Sequence, residues 1–240
     1  MNHRHVATAL TLLLVSSLIA GNNPTQDEKK SSLSIGKIEV GRFKVSGFTI
    51  GKRIAIDADY GKQHQFPVAA PYNFIIPKRK NIFVLHPPKS GQASIKLNFA
   101  TEDKQLVENL QFVNMRIPVE APEKRIAMTA DLIIKKSLPT AFRGFAQSKH
   151  LETYQHKIGK CDAVTVHGEI SDPKKGRYYV KLTGIINPES IDSVLAFSMI
   201  NQAQSDIDTL DKLRSEGLAN KVIHSLKFQT EPKQKPQKAK

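Results

Sequence analysis

Leu151-Glu-Thr-Tyr-Gln-His-Lys-Ile-Gly-Lys-Cys-Asp-Ala-Val-Thr-Val-His-Gly-Glu-Ile-Ser-Asp-Pro-Lys-Lys-Gly-Arg-Tyr-Tyr-Val-Lys-Leu-Thr-Gly-Ile-Ile186 is the stretch that decides the fold. Leu151 to Ile158 and Asp162 to Ile170 read as strands joined by a tight turn at Gly159-Lys160. Asp172-Pro-Lys-Lys-Gly176 is a second turn, because proline and glycine there favour chain reversal. Tyr178 to Ile186 is the third strand. These elements predict a three-stranded antiparallel meander, since parallel strands would need long crossovers between them.

Upstream of the meander, Tyr72 to Ile76 reads as a short strand closed by Pro77, and Ile82 to Leu85 as another ended by Pro87-Pro88. Ser94 to Ala100 alternates, with Ile95, Leu97 and Phe99 on one face. Thr101 to Lys104 is expected to cap a short helix through Leu110, with a strand from Gln111 to Val119. A helix is expected over Thr129 to Leu138, stopped by Pro139. Downstream, Ser205 is the expected N-cap of one long amphipathic helix, with Ile207, Leu210, Leu213, Leu218, Val222 and Leu226 along one stripe. Strands followed by helices, without alternating βαβ units, give an α+β class with an antiparallel sheet and packed helices.

The segment from Leu33 to Ile56 alternates apolar and polar residues between glycines at 36, 41, 47 and 51. It reads as short antiparallel strands in a β-rich extension over residues 33–70, with a loop from Asp57 to Ala70. The main α+β domain is expected over 71–229. Before these lie an export signal over 1–21 and a polar leader over 22–32. The signal has a basic start at Arg4, an apolar run from Val6 to Ala20 and a break at Gly21-Asn22-Asn23-Pro24. The run is short for a spanning helix. The expected compartment is therefore periplasmic or extracellular.

Composition bounds the partners. Cys161 is the single cysteine, so an intramolecular disulfide is excluded. The formal charge is +14, and losing Arg4 with the signal lowers it to +13. The basic clusters are Lys78-Arg79-Lys80, Lys174-Lys175 with Arg177, and the Lys/Pro tail over 230–240 with Lys233, Lys235, Lys238 and Lys240. They are the candidate contacts for an anionic partner, weighed against a solvated surface. Nucleic acid is disfavoured, because no dense basic helix face or aromatic strand pair accompanies the charge.

No catalytic, cofactor or metal residues are assigned. His64, His86, His150, His156, His167 and His224 lack HxH, HExxH or CxxC spacing. Cys161 and His167 share a strand face but stand about 20 Å apart at about 3.3 Å per residue, too far for a thiol–imidazole pair. The expected function is an exported, non-catalytic envelope protein that binds or assembles a macromolecular partner. The alternatives are a binder of anionic surfaces (lipid head groups, lipopolysaccharide, polysaccharide) and an enzyme whose site forms only in three dimensions.

Four stretches carry a family resemblance. They are Tyr72-Asn-Phe-Ile-Ile-Pro77, Ile158-Gly-Lys-Cys-Asp-Ala-Val-Thr-Val-His167, Tyr178-Tyr-Val-Lys-Leu-Thr-Gly-Ile-Ile186 and Leu218-Ala-Asn-Lys-Val-Ile-His-Ser-Leu-Lys-Phe228. In this order they resemble the PsbP/Mog1 superfamily, including its exported bacterial DcrB-like members, over about two-thirds of the chain. The resemblance implies an α/β/α sandwich and a non-enzymatic binding or assembly role, and it transfers no site residues.

Overall fold

The computed structural model describes residues 36–37, 49–86 and 93–229. The expected export signal and leader, much of the glycine-punctuated segment and the Lys/Pro tail lie outside them. In chain order the strands are β1 (Gly36–Lys37), β2 (Ile50–Ile56), β3 (Tyr72–Pro77), β4 (Ile82–Leu85), β5 (Ala93–Ala100) and β6 (Leu106–Arg116). They continue with β7 (Gln147–Ile158), β8 (Cys161–Asp172), β9 (Gly176–Ile185), β10 (Asp192–Asn201) and β11 (Lys227–Phe228). The helices are α1 (Ala58–His64), α2 (Pro122–Leu132), a π turn (Ile133–Ser137), α3 (Leu138–Phe142), α4 (Leu210–Ser215) and α5 (Leu218–His224).

An eight-stranded sheet runs in the order β1-β7-β8-β9-β10-β6-β5-β4, and a three-stranded sheet in the order β11-β3-β2. Apart from the parallel β1–β7 pair, the described pairings are antiparallel. The expected meander is present and gains a fourth strand, β10, which pairs with both β9 and β6. β2, from the segment read as an extension, pairs with β3.

Strand parity divides the large sheet into two faces. On the inner face, Phe99, Leu110, Phe112, Ala163, Ile185, Val194 and Ala196 meet Ile56, Tyr72 and Phe74 of the small sheet and Val222, Ile223 and Leu226 from the C-terminal helix. On the outer face, Val164 and Ile186 meet Ile126 and Ala130 of α2. Gly184 of β9 permits this approach, because a Cβ there would lie 2.4 Å from Thr129 Cγ2 and 3.2 Å from Ile133 Cδ1. Helices thus pack on both faces of the sheet.

Four local expectations are corrected. Residues 101–105 make a hairpin turn and 106–110 begin β6, in place of the expected helix. Lys104 takes φ 61 and Thr101 Oγ1 accepts from Gln105 N, which delivers the chain into β6 beside β5. The loop expected from Asp57 contains α1. Asp57 caps it by accepting from Asp59 N and Tyr60 N, and buried Tyr60 anchors it. The helix expected over Thr129 to Leu138 begins earlier, at Pro122, and is not stopped by Pro139. The π turn resets the ladder, and Pro139 falls in the first turn of α3, where an N–H is not required. The long helix expected from Ser205 is two short ones. Thr209 caps α4 through its side chain, and Gly217, at φ 96, breaks the chain before α5. Of the expected stripe, Ile207, Leu213, Val222 and Leu226 are buried, whereas Leu210 is exposed.

Candidate functional site

The inner face carries a row of polar side chains built by the register of four strands. Glu152 of β7 stands opposite His167 of β8, His167 opposite Lys181 of β9, and Lys181 opposite Ser198 of β10. Such a row needs internal partners, because an unsatisfied buried charge or donor is costly. Lys181 and Glu152 find them in the broken C-terminal helix, whereas Ser198 Oγ and His167 Nε2 are buried without one.

Lys181 is 2% exposed. Its Nζ donates to Asn220 Oδ1 at 2.8 Å and to the carbonyls of Leu213 at 3.3 Å and Arg214 at 3.5 Å. Asn220 Nδ2 donates to the Arg214 carbonyl at 2.7 Å. The carbonyls left open at the end of α4 are therefore held by the sheet. At the start of α5, Glu108 of β6 accepts from Leu218 N at 3.0 Å and Ala219 N at 2.9 Å. Gly217 keeps this approach open, since a Cβ there would lie 3.0 Å from Glu108 Oε2. One buried base and one buried acid thus bracket the break between the helices.

A second group ties the same region to β7. Arg214 Nε donates to Glu152 Oε1 at 3.0 Å, and its Nη2 donates to Oε2. His167 Nδ1 lies 2.8 Å from Glu152 Oε1, which sets the tautomer with the proton on Nδ1. Beside it, His156 Nε2 meets Thr165 Oγ1 at 2.8 Å, and Thr165 meets Thr183 at 2.9 Å. The rings of His156 and His224 lie 5.7 Å apart.

Burial governs the titration here. It pushes Lys181 down to about 7 against the opposing charges of Glu108 and Glu152. It pushes His156 to about 3, helped by the charges of His224 and Lys181. His167 falls to about 4 through burial, although the hydrogen bond to Glu152 opposes the fall. His224 falls to about 4, again through burial and then the charge of Lys181. Glu108 is raised by burial against its two backbone donors. For Glu152 burial loses: the hydrogen bonds and charges of His167 and Arg214 hold the carboxyl at about 2. Perturbed groups of this kind mark functional sites and structural networks alike. Here Lys181 and Glu108 face the backbone of α4 and α5, while Glu152, His156 and His167 meet side chains.

Cys161 lies in the apolar core and its thiol is pushed up by burial, so it is poorly suited to act as a nucleophile. Among the described residues no group of three or more His, Cys, Asp or Glu is placed to hold a metal ion.

The anticipated basic contacts are not brought together. Lys78, Arg79 and Lys80 are exposed in the connection from β3 to β4. Lys174, Lys175 and Arg177 lie around the β8–β9 turn, at the same end of the sheet but four strand spacings away, about 20 Å. Two of these have internal roles. Lys175 Nζ donates to the Gly144 carbonyl and stands 4.8 Å from the Phe145 ring, while Arg177 pairs with Glu169 at 2.7 Å. Lys233, Lys235, Lys238 and Lys240 lie outside the described residues.

The surface also exposes apolar groups on β4. Phe83 is 43% and Leu85 45% exposed, while Ile82 and Val84 turn inward against the core. A run of four apolar residues does not reveal which pair faces out, so sequence alone could not single out Phe83 and Leu85.

The class these elements define is α+β, with antiparallel sheets and helices packed against them. No protein-family model matches the chain, and no curated protein matches it. Among solved structures it is similar to a cyanobacterial PsbP from Synechocystis, at 14% identity and a TM-score of 0.49, covering 79% of this chain and 99% of that one. It is also similar to the Ran-binding protein Mog1p of Saccharomyces cerevisiae, at 7% identity and a TM-score of 0.44, covering 75% and 95%. A protein from Bacteroides thetaiotaomicron aligns at 10% identity and a TM-score of 0.44, over 75% of this chain and 49% of that one. These are likenesses of fold.

Proposed function

We propose that this protein is an exported, non-catalytic module that binds a macromolecular partner in the cell envelope. The observation that carries the reading is the contrast between the two polar and apolar inventories. Lys181 and Glu108 are engaged with the C-terminal helices and Glu152 with Arg214, while His156 and His167 are buried against the strand side chains Thr165 and Glu152, whereas Phe83 and Leu85 are presented to solvent on a strand. An exposed apolar pair beside three exposed cations suits recognition rather than turnover. Export is supported by the basic start, the apolar run and the break at Gly21-Asn22-Asn23-Pro24, and kinship with exported bacterial members of the superfamily rests on the four resembling stretches. Among the described residues no helix is long and apolar enough to cross a membrane.

The rival reading, a binder of anionic surfaces, has exposed Lys78, Arg79 and Lys80 in its favour. Lys175 and Arg177 serve it less well, because internal acceptors already hold them.

The test is cell fractionation followed by intact-mass measurement and native sizing of a mild detergent extract. The expected result is a chain trimmed between Ser17 and Asn23 that migrates in a complex larger than itself. A cytoplasmic chain retaining Met1 would overturn the export reading. A trimmed chain that migrates alone under every extraction condition would overturn the binding reading.

A further inference from the structure

The two ends of the large sheet are finished differently. At one end, β1 pairs with β7 at Tyr154 and Gln155. The earlier part of β7 presents exposed Ser148, Lys149 and His150, and its register shifts between His150 and Glu152. Charge and a bulge are the usual guards against strand addition. At the other end, β4 is uncharged throughout and, among the described residues, pairs only with β5. Its outer face continues onto β5, where Asn98 stands opposite Phe83 and Lys96 opposite Leu85. Asn98 Oδ1 is buried without a hydrogen-bond partner. α2 and α3 pack on β8, with β9, β10, β6 and β5 between it and β4. Lys78, Arg79 and Lys80 stand exposed just before β4 begins.

We propose that the outer edge of β4 accepts an extended segment of an acidic partner protein as an added antiparallel strand, with its apolar side chains on Phe83 and Leu85 and its acidic end on Lys78, Arg79 and Lys80. This rests on the binding-module reading and names its surface. Main-chain hydrogen bonds along β4 supply the pairing, and alternate side chains of the guest meet the outer face. β4 runs from Ile82 to Leu85, about 13 Å at 3.3 Å per residue, so the paired core of the guest is short. An antiparallel guest ends where β4 begins. Its carboxylates therefore belong at its C-terminal end, beside the three cations. An exposed, uncharged edge binds any compatible strand, and the cations restrict the choice to acidic ones.

The probe is a short synthetic peptide alternating threonine and valine and ending in three glutamates, titrated into the purified full chain at low salt with fluorescence anisotropy as readout. Three companion peptides carry the glutamates at the N-terminus, lysines in place of glutamates, or N-methyl groups on alternate backbone nitrogens. The C-terminal glutamate peptide is expected to bind about tenfold more tightly than its lysine counterpart, as three exposed ion pairs would give. It should also bind more tightly than the N-terminal version, and N-methylation should abolish binding.

Phe83→Lys should weaken the best peptide about tenfold or more. Changing Lys78, Arg79 and Lys80 together to glutamate should reverse the glutamate-over-lysine preference. All four side chains are exposed, and unchanged melting temperatures would show that the fold is kept. Equal binding of the acidic and basic peptides, or binding indifferent to these substitutions, overturns the proposal. So does self-association of the chain abolished by Phe83→Lys, which would make the edge a contact between copies. Binding to phosphatidylglycerol vesicles that is lost in the triple variant, without peptide binding, assigns the cations to a lipid surface instead. Each of these failures leaves the native-complex test of the binding-module reading standing, because that test does not depend on β4.

Discussion

Lowering the pH from 6.5 to 4.5 should destabilise the protein through its buried histidines. In the folded state His156 titrates at about 3 and His167 at about 4, both below the ordinary 6.5. Unfolded, both take up protons as the pH falls through 6.5. Between 6.5 and 4.5 the unfolded state therefore binds more protons, so stability drops with pH by about 1.4 kcal/mol per unit for each group. Two pH units and two groups give about 5 kcal/mol. His224, also held at about 4, adds a contribution of the same sign and about the size of that from His167. Glu108 opposes them: burial raises its pKa, so the folded state gains that proton first. Lys181, at about 7, is largely protonated in both states by pH 6 and contributes little below it. Three imidazoles against one carboxyl make the expected net effect a loss of stability on acidification, large on the scale of ordinary domain stability. Urea midpoints at pH 6.5, 5.5 and 4.5 would measure it, and His156→Gln with His167→Gln should flatten the dependence. Stability that stays level or rises over this interval in the unsubstituted chain would refute the assignment of neutral, buried imidazoles.

Other perturbations test separate parts. Leu213→Ala removes a fully buried side chain packed with Ile200 and Ile207, and should cost about 2–5 kcal/mol by chemical denaturation. Gly184→Ala inserts a Cβ into Thr129 and should cost about 1–3 kcal/mol, with the loss relieved in a Thr129→Ser background that removes the offending methyl. Deleting residues 231–240 should leave the melting temperature unchanged, since a Lys/Pro/Gln segment has little apolar surface to bury. The same deletion should weaken salt-sensitive binding to polyanions, and a chain that unfolds on losing the tail would show it to be structural.

The meander was legible because two kinds of signal agreed there. Alternation from Leu151 to Ile186 set the strands, and Gly159 and Asp172-Pro173 set the turns. β10 was not legible. Its Val194-Leu-Ala-Phe-Ser-Met-Ile200 is buried on both faces, so the period of two is lost. Pro139 misled because a π turn was available to absorb it, and nothing local announces a π turn. The division of the C-terminal helix depends on Glu108 and Lys181, which lie far away in sequence and become caps only when the sheet forms. For the same reason the buried polar row was invisible: Glu152, His167 and Lys181 are neighbours through strand register, not spacing. The apolar stripe through Leu213, Val222 and Leu226 was readable because it needs only one side of the chain to be buried, whether in one helix or two.

Photo-cross-linking in intact cells tests the binding-module account most directly. A benzophenone side chain would replace Phe83, Val119 or Leu210, each an exposed apolar position on a different element or connection. The expected result is a discrete adduct in the envelope fraction, strongest from position 83 and carried by the trimmed chain. An absence of adducts from every position, with the trimmed chain alone in the envelope fraction, would contradict the claim that this protein acts by docking a partner.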